Sequence, residues 1–239
     1  PQNVEHLSDD FNIPGFLADM KYYIEGDVFG ETYSSPGYMT LTPYGMNGGW
    51  ALCPIGPGKM DVIENRKPPF EIELCFIPPG NERPWNLWWN VGLYDTEGTY
   101  HPWQPCITNI PGKAIAYSNS GAFDPKRGSF VNPNIRITPE FGPELTQAIM
   151  TARPLYMLIQ IPNQYNLRVG FKADKKDPWV FSEPFDSKDM FGKIAAFSYP
   201  ALVSFQGSHV GQKGWGAGNW PYYQRFLIDY LYYRYGDSS

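Results

Sequence analysis

The chain has 239 residues, 42% of them hydrophobic and 18% charged, with a formal net charge of -5 at pH 7. This balance excludes a disordered polymer. The absence of any basic block excludes a partner held through a nucleic-acid phosphate backbone. No apolar run approaches the roughly 20 residues that a membrane-spanning helix needs, so no membrane partner is expected.

The aromatic residues (17 Tyr, 15 Phe, 8 Trp) suit pleated, half-buried strands, and the 24 Gly and 24 Pro imply many turns. In chain order, strands are expected at 38–42 and 50–53, the latter ended by a Pro- and Gly-rich loop. Residues 70–77 alternate, with Phe70, Ile72, Leu74 and Phe76 on one face and Glu71, Glu73 and Cys75 on the other. Residues 87–95 alternate as well, with Leu87, Trp89, Val91 and Leu93 opposing Trp88, Asn90, Gly92 and Tyr94. Trp85 and Trp103 are expected on flanking loops, and 111–138 reads as loop-rich. Residues 139–151, with Pro143-Glu144 near the start, carry the one helical signal and predict a short peripheral helix. Residues 155–161 and 165–172 form a predicted hairpin around Pro162-Asn163, whose second arm sets Tyr165, Leu167, Val169 and Phe171 against Asn166, Arg168, Gly170 and Lys172. Strands follow at 194–199, 201–205 and 225–235. With no repeat and no composition shift, 1–239 reads as a single domain, an all-β, two-sheet antiparallel sandwich.

Cys53, Cys75 and Cys106 form no CxxC pair, so a zinc knuckle is not expected. Buried thiols are the favoured reading, and one disulfide plus one free thiol is the alternative. The sequence begins at Pro1 and fits a secreted, periplasmic or cytoplasmic setting equally.

Three stretches carry a family resemblance. The opening Leu7-Ser8-Asp9-Asp10-Phe11-Asn12 resembles the first strand of concanavalin A-like lectin/glucanase domains. The closing Ile228-Asp229-Tyr230-Leu231-Tyr232-Tyr233-Arg234-Tyr235 is similar to the last strand of laminarinase-like β-glucanases. Between them, the run from Phe185-Asp186 to Phe205 resembles the segment that precedes that strand. The resemblance implies a jelly roll with a glycan on its concave sheet. It also implies an E-x-D-x-E pair of catalytic carboxylates, to which Glu71-Ile72-Glu73-Leu74-Cys75 is similar. Glu71 matches the nucleophile and Glu73 the middle acid, while Cys75 replaces the acid/base glutamate. Alginate-lyase-like jelly rolls are a second precedent, for which Gln160, Gln164, Arg168 and Lys172 have the right character, although that family's signature strings are absent. A structural calcium held by Asp10 and Asp229 is also implied, and no other cofactor is required.

The candidate catalytic residues are therefore Glu73, Glu71, His101 and Arg168. A carboxylate pair at i, i+2 or a neutral imidazole can supply acid/base chemistry, and an ordinary solvated face explains the same carboxylates without any. Trp88, Trp85, Trp103, Tyr94, Gln164, Lys172 and His209 are the candidate substrate-binding residues, because sugar C–H faces stack on aromatic rings; core packing is the competing use of those rings. The leading expectation is a carbohydrate-active enzyme, a lyase or glycoside hydrolase, whose partner is an oligosaccharide, a polysaccharide or a glycosylated small molecule. The alternatives are a non-catalytic lectin or carbohydrate-binding module, and an enzyme acting on a small hydrophobic metabolite in an aromatic pocket.

Overall fold

The computed structural model describes residues 2–3, 23–26, 28–35, 38–43, 49–53, 69–78, 85–103, 105–109, 116–118, 122–124, 129–131, 135–137, 147, 151–181, 185–186, 188, 192–197, 201–206 and 226–236. The strands among them are β1 (Gln2–Asn3), β2 (Tyr23–Gly26), β3 (Val28–Ser35), β4 (Tyr38–Pro43), β5 (Gly49–Cys53), β6 (Phe70–Ile77), β7 (Trp85–Asp95), β8 (Tyr100–Trp103), β9 (Cys106–Asn109) and β10 (Ala116–Ser118). They continue as β11 (Ala122–Asp124), β12 (Ser129–Val131), β13 (Ile135–Ile137), β14 (Leu155–Ile161), β15 (Asn166–Lys172), β16 (Val180–Phe181), β17 (Phe185–Asp186), β18 (Ile194–Phe197), β19 (Ala201–Gln206) and β20 (Phe226–Tyr235).

The first sheet runs β16-β15-β14-β6-β20-β4-β3, with β1 on β20 and β17 on β15. The second runs β13-β10-β9-β7-β19-β5-β2, with β8 and β18 on β7, and β11 and β12 form a separate ribbon. Every pairing is antiparallel, and sequence neighbours often lie in different sheets: β6 belongs to the first and β7 to the second.

Period-two burial explains this layering. Phe70, Ile72, Leu74 and Phe76 of β6 are at most 1% exposed, as are Leu155, Met157, Ile159 and Ile161 of β14 and Leu167, Val169 and Phe171 of β15. From the second sheet, Leu87, Trp89, Val91 and Leu93 of β7 are all fully buried. The layers meet where the Trp89 indole stands edge-on to the Tyr233 ring of β20, with centroids 6.4 Å apart at 81°, a favoured aromatic geometry.

The alternation in β20 breaks once. Ile228 pairs with Phe76, Tyr230 pairs with Cys75, and Asp229 is the extra residue between them. Such a bulge shifts side-chain parity by one. Phe226 and Ile228 are buried before it, Leu231 and Tyr233 after it. The bulge thus sends Tyr230, Tyr232 and Arg234 to the face that carries Glu71 and Glu73.

The strands at 70–77 and 155–161 coincide with expectation. Four corrections follow. Residues 100–103, read as loop, form β8; Pro102 gives up a ladder donor, which is tolerated in a short strand paired to β7. Trp85 opens β7 instead of lying on a loop. The 111–138 stretch contains four three-residue strands. Tyr165 is an exposed turn residue and not part of β15, because Asn163 Oδ1 accepts the N–H groups of Tyr165 and Asn166 and closes the turn there. The helix expected over 139–151 lies mostly outside the described residues; Gln147 is helical, and the Thr151 N–H donates to its carbonyl at 3.0 Å. Cys75 is a free, buried thiol. No described helix is long and apolar enough to cross a membrane.

Truncating Trp89 to Ala should cost about 3–5 kcal/mol in denaturant unfolding. Trp89→Phe should cost clearly less, because it keeps a ring and removes an indole N–H that is buried without a hydrogen-bond partner among the described residues.

Candidate functional site

The outer face of the first sheet carries the densest set of polar groups among the described residues. Register lays them out in rows across the strands. In one row Arg234 (β20), Glu71 (β6), Gln160 (β14) and Arg168 (β15) are successive cross-strand partners. The next row holds Tyr232, Glu73, Leu158 and Gly170, and a third holds Tyr230, Cys75, Tyr156 and Lys172.

Side-chain bonds follow the rows. Arg234 Nε donates to Glu71 Oε2 at 3.0 Å, and its Nη2 donates to Glu73 Oε1 at 2.9 Å. One guanidinium thereby lies between two like charges and offsets their repulsion. Glu73 Oε2 also accepts the Tyr230 hydroxyl at 2.6 Å. Glu71 Oε1 accepts Gln160 Nε2 at 2.5 Å, and Gln160 Oε1 accepts Arg168 Nε at 2.6 Å. Both carboxylates are about four-fifths or more buried, at 12% and 18% side-chain exposure.

Aromatic rings run beside these rows. Tyr230 and Tyr232 stack at 4.3 Å and 9°, and Tyr156 follows 6.5 Å from Tyr230. Lys172 Nζ lies 5.6 Å from the Tyr156 ring centre and 4.4 Å from that of Trp179. The Arg168 guanidinium sits 3.9 Å over Phe181.

This environment sets the proton chemistry. Burial and the adjacent Glu73 carboxylate push the Tyr230 hydroxyl well above its ordinary range, so it stays a donor. Burial, the charge of Asp229 and other neighbours raise the Cys75 thiol to about 12. At the position where the resemblance calls for an acid/base glutamate, this chain therefore holds an inert thiol. Burial likewise lifts Tyr156 to about 12, with Cys75 adding to the effect. Burial works against the Arg234 cation, yet Glu73 and Glu71 outweigh it and raise its pKa.

The other expected site residues are placed elsewhere. Trp85, Trp88 and Tyr94 belong to β7 in the second sheet. Because the outer faces of stacked sheets point in opposite directions about 10 Å apart, β7 residues cannot join Glu71 and Glu73 around one sugar. The side chains of Trp85 and Trp88, and all of His209 and Asp10, lie outside the described residues. Tyr94 is half-buried, with its ring 5.5 Å from that of Tyr100. Trp103 is 0% exposed and His101 1%, both packed inside the sandwich. Burial removes Trp103 from a binding surface and His101 from the carboxylate face. Gln164 lies in the β14–β15 turn, and its carbonyl accepts the Ile194 N–H at 2.9 Å. Asp229 is the bulge residue; among the described residues no group of three or more His, Cys, Asp or Glu side chains could hold a metal ion.

His101 has a structural use. Its Nε2 lies 2.9 Å from Asp95 Oδ2, while Asp95 Oδ1 accepts the N–H groups of Glu97 and Thr99 at 2.9 Å each. Asp95 thus organises the β7–β8 turn. Partial burial opposes the charge, but the His101 hydrogen bond and the two backbone donors hold its carboxyl below the ordinary value.

Arg234 was not among the expected site residues. Its signal was a lone cation in a closing strand that is aromatic and apolar apart from Asp229, and such a cation requires a counter-charge when buried.

No protein-family model and no curated protein matches the chain. Solved structures do resemble it. A glycoside hydrolase family 16 endo-glucanase from Bacteroides ovatus superposes with a TM-score of 0.55 at 13% identity, covering 95% of this chain and 99% of that one. The κ-carrageenase of Pseudoalteromonas carrageenovora gives a TM-score of 0.56 at 9% identity over 97% and 94% of the two chains. Rv0315 of Mycobacterium tuberculosis, described as an immunostimulatory antigen and pseudo β-1,3-glucanase, gives 0.54 at 12% identity over 96% and 98%. The fold is a concanavalin A-like jelly roll. The terminal strand motifs that resembled this group belong to a chain that matches it over nearly its whole length.

Replacing Arg234 by Leu leaves two carboxylates without their shared cation. The expected loss is about 3 kcal/mol, the lower end for a broken buried pair because Arg234 is 20% exposed. Adding Glu71→Gln and Glu73→Gln should restore part of the loss in urea unfolding. For Asp95 the folded-state pKa is depressed, so its stabilisation is complete above about pH 4 and fades as pH falls through the folded value. Asp95→Asn should melt below the parent at pH 7, and the gap should narrow below about pH 4.

Proposed function

We propose that this chain is a carbohydrate-active enzyme of the glycoside hydrolase kind that seats a saccharide on the outer face of the first sheet. The observation that carries this reading is the juxtaposition there of two carboxylates, two guanidiniums and an amide with a run of tyrosine rings. Sugars need both components, hydrogen-bonding groups for hydroxyls and ring faces for C–H surfaces. The whole-length likeness to a glucanase and a carrageenase supports it. Hydrolysis is preferred to β-elimination because the Bacteroides ovatus endo-glucanase is a glycoside hydrolase by name, and because His101, a candidate base for elimination, is buried away from this face.

In this reading Glu73 handles the proton. It is hydrogen-bonded to Tyr230 and Arg234, and a substrate hydroxyl would reach it by displacing one of them. Glu71, tethered by Gln160 and Arg234, supplies the second charge.

A second reading, a non-catalytic glycan-binding domain, is favoured by one feature. Arg234 engages both carboxylates at once, and the third strand position is the inert Cys75. The Mycobacterium tuberculosis neighbour, a pseudo-glucanase by its description, is consistent with that outcome.

The test is a panel of β-glucans, galactans and uronate polymers, followed by reducing-end release and by absorbance at about 235 nm for unsaturated uronates. New reducing ends without rising absorbance are expected, and Glu73→Gln should cut turnover by about 100-fold or more with binding retained. Binding without turnover would establish the second reading. A rise in absorbance would make the enzyme a lyase, and neither binding nor turnover would end the carbohydrate reading.

A further inference from the structure

Charge on the outer face of the first sheet is unevenly satisfied. Arg234 is shared by Glu71 and Glu73. Arg168 and Lys172, two and six places along the same strand from Asn166, have no carboxylate within ion-pair distance among the described residues. Arg168 makes one hydrogen bond, from Nε to the amide oxygen of Gln160, and lies flat on Phe181. Lys172 Nζ donates to the Lys175 carbonyl at 2.9 Å and sits between the Tyr156 and Trp179 rings.

These contacts fix the two cations without neutralising them. Phe181 can lie over the sheet because its β15 partner is Gly170; a Cβ there would stand 3.0 Å from two of the Phe181 ring carbons. The ring supports one side of the guanidinium, and Gln160 takes Nε, which leaves the two Nη groups as the uncommitted donors. Gln160 is itself held by Glu71, so the bond that orients Arg168 is anchored across three strands. A planar, pre-oriented fork of this kind matches the oxygens of a carboxylate or sulfate and loses little freedom on binding. Lys172 is on the same face four residues away, about 13 Å along the strand. It offers a second positive point to a ligand with repeated charges.

From this we infer that the saccharide bound here is acidic, a polymer bearing carboxylate or sulfate groups, and that Arg168, seconded by Lys172, selects it over neutral glycans. The inference rests on the proposed function and deepens it.

Binding can be measured by affinity electrophoresis and calorimetry, with alginate and a sulfated galactan as acidic probes and laminarin and barley β-glucan as neutral ones. The unaltered protein should retain the acidic polymers more strongly, with affinity falling as salt rises. Arg168→Gln should weaken acidic binding at least tenfold, Arg168→Gln/Lys172→Gln further, and neither should change whatever neutral binding exists. Arg153→Gln removes the same charge from an exposed site outside these rows and should leave binding alone. Unchanged melting temperatures separate lost recognition from lost folding. Preference for neutral glycans, or acidic binding indifferent to Arg168, would overturn the inference while leaving the carbohydrate function standing. Failure of every polymer to bind would overturn both.

Discussion

The extra residue at Asp229 decides what the outer face of the first sheet is made of. Without it, β20 would keep the parity set by Phe226 and Ile228, and Tyr230, Tyr232 and Arg234 would point into the sandwich. A guanidinium there would meet Ile72 and Leu74 instead of two carboxylates, at a desolvation cost that no described neighbour offsets. The bulge resolves a conflict written into the closing strand, which needs apolar residues inward at both ends but carries them out of step. The bonds that join β20 to β6 on the polar side follow from that one shift.

This arrangement also constrains the chemistry. Two carboxylates one pleat apart repel, and the usual catalytic use of such a pair lets one of them keep a proton. Here the repulsion is relieved by a shared cation. A substrate would have to compete with Arg234 and Tyr230 for the same oxygens before either carboxylate could act.

The alternating runs at 70–77 and 155–161 were legible because period-two patterns report local geometry directly, and both sheets could be anticipated from their number. Parity alone says which residues share a face of one strand; it does not say which sheet the strand joins. Trp88 and Glu73, fifteen positions apart, were accordingly expected around one ligand, yet the chain changes sheets between β6 and β7. The β8 strand is hidden in the sequence by Pro102, whose ring usually marks a loop, and Trp103, expected on a loop as a binding candidate, takes the competing use of a core ring instead. Arg234 reaches Glu73 across 161 residues, and that pairing depends on a bulge with no Gly or Pro to announce it. The concanavalin A-like fold came from strand motifs near the two ends of the chain, which report topology better than they report a site.

The hairpin between β14 and β15 has a mechanical consequence. Its tip belongs to the first sheet, yet the Gln164 carbonyl holds the N–H of Ile194, a residue of the second. A backbone bond between layers adds a directional restraint to the side-chain packing that already opposes sliding. The layers are thus pinned at this end, where relative movement becomes a pivot. Breathing of the sandwich should widen away from the hairpin, and amides near residue 194 should be among the slowest to exchange with solvent.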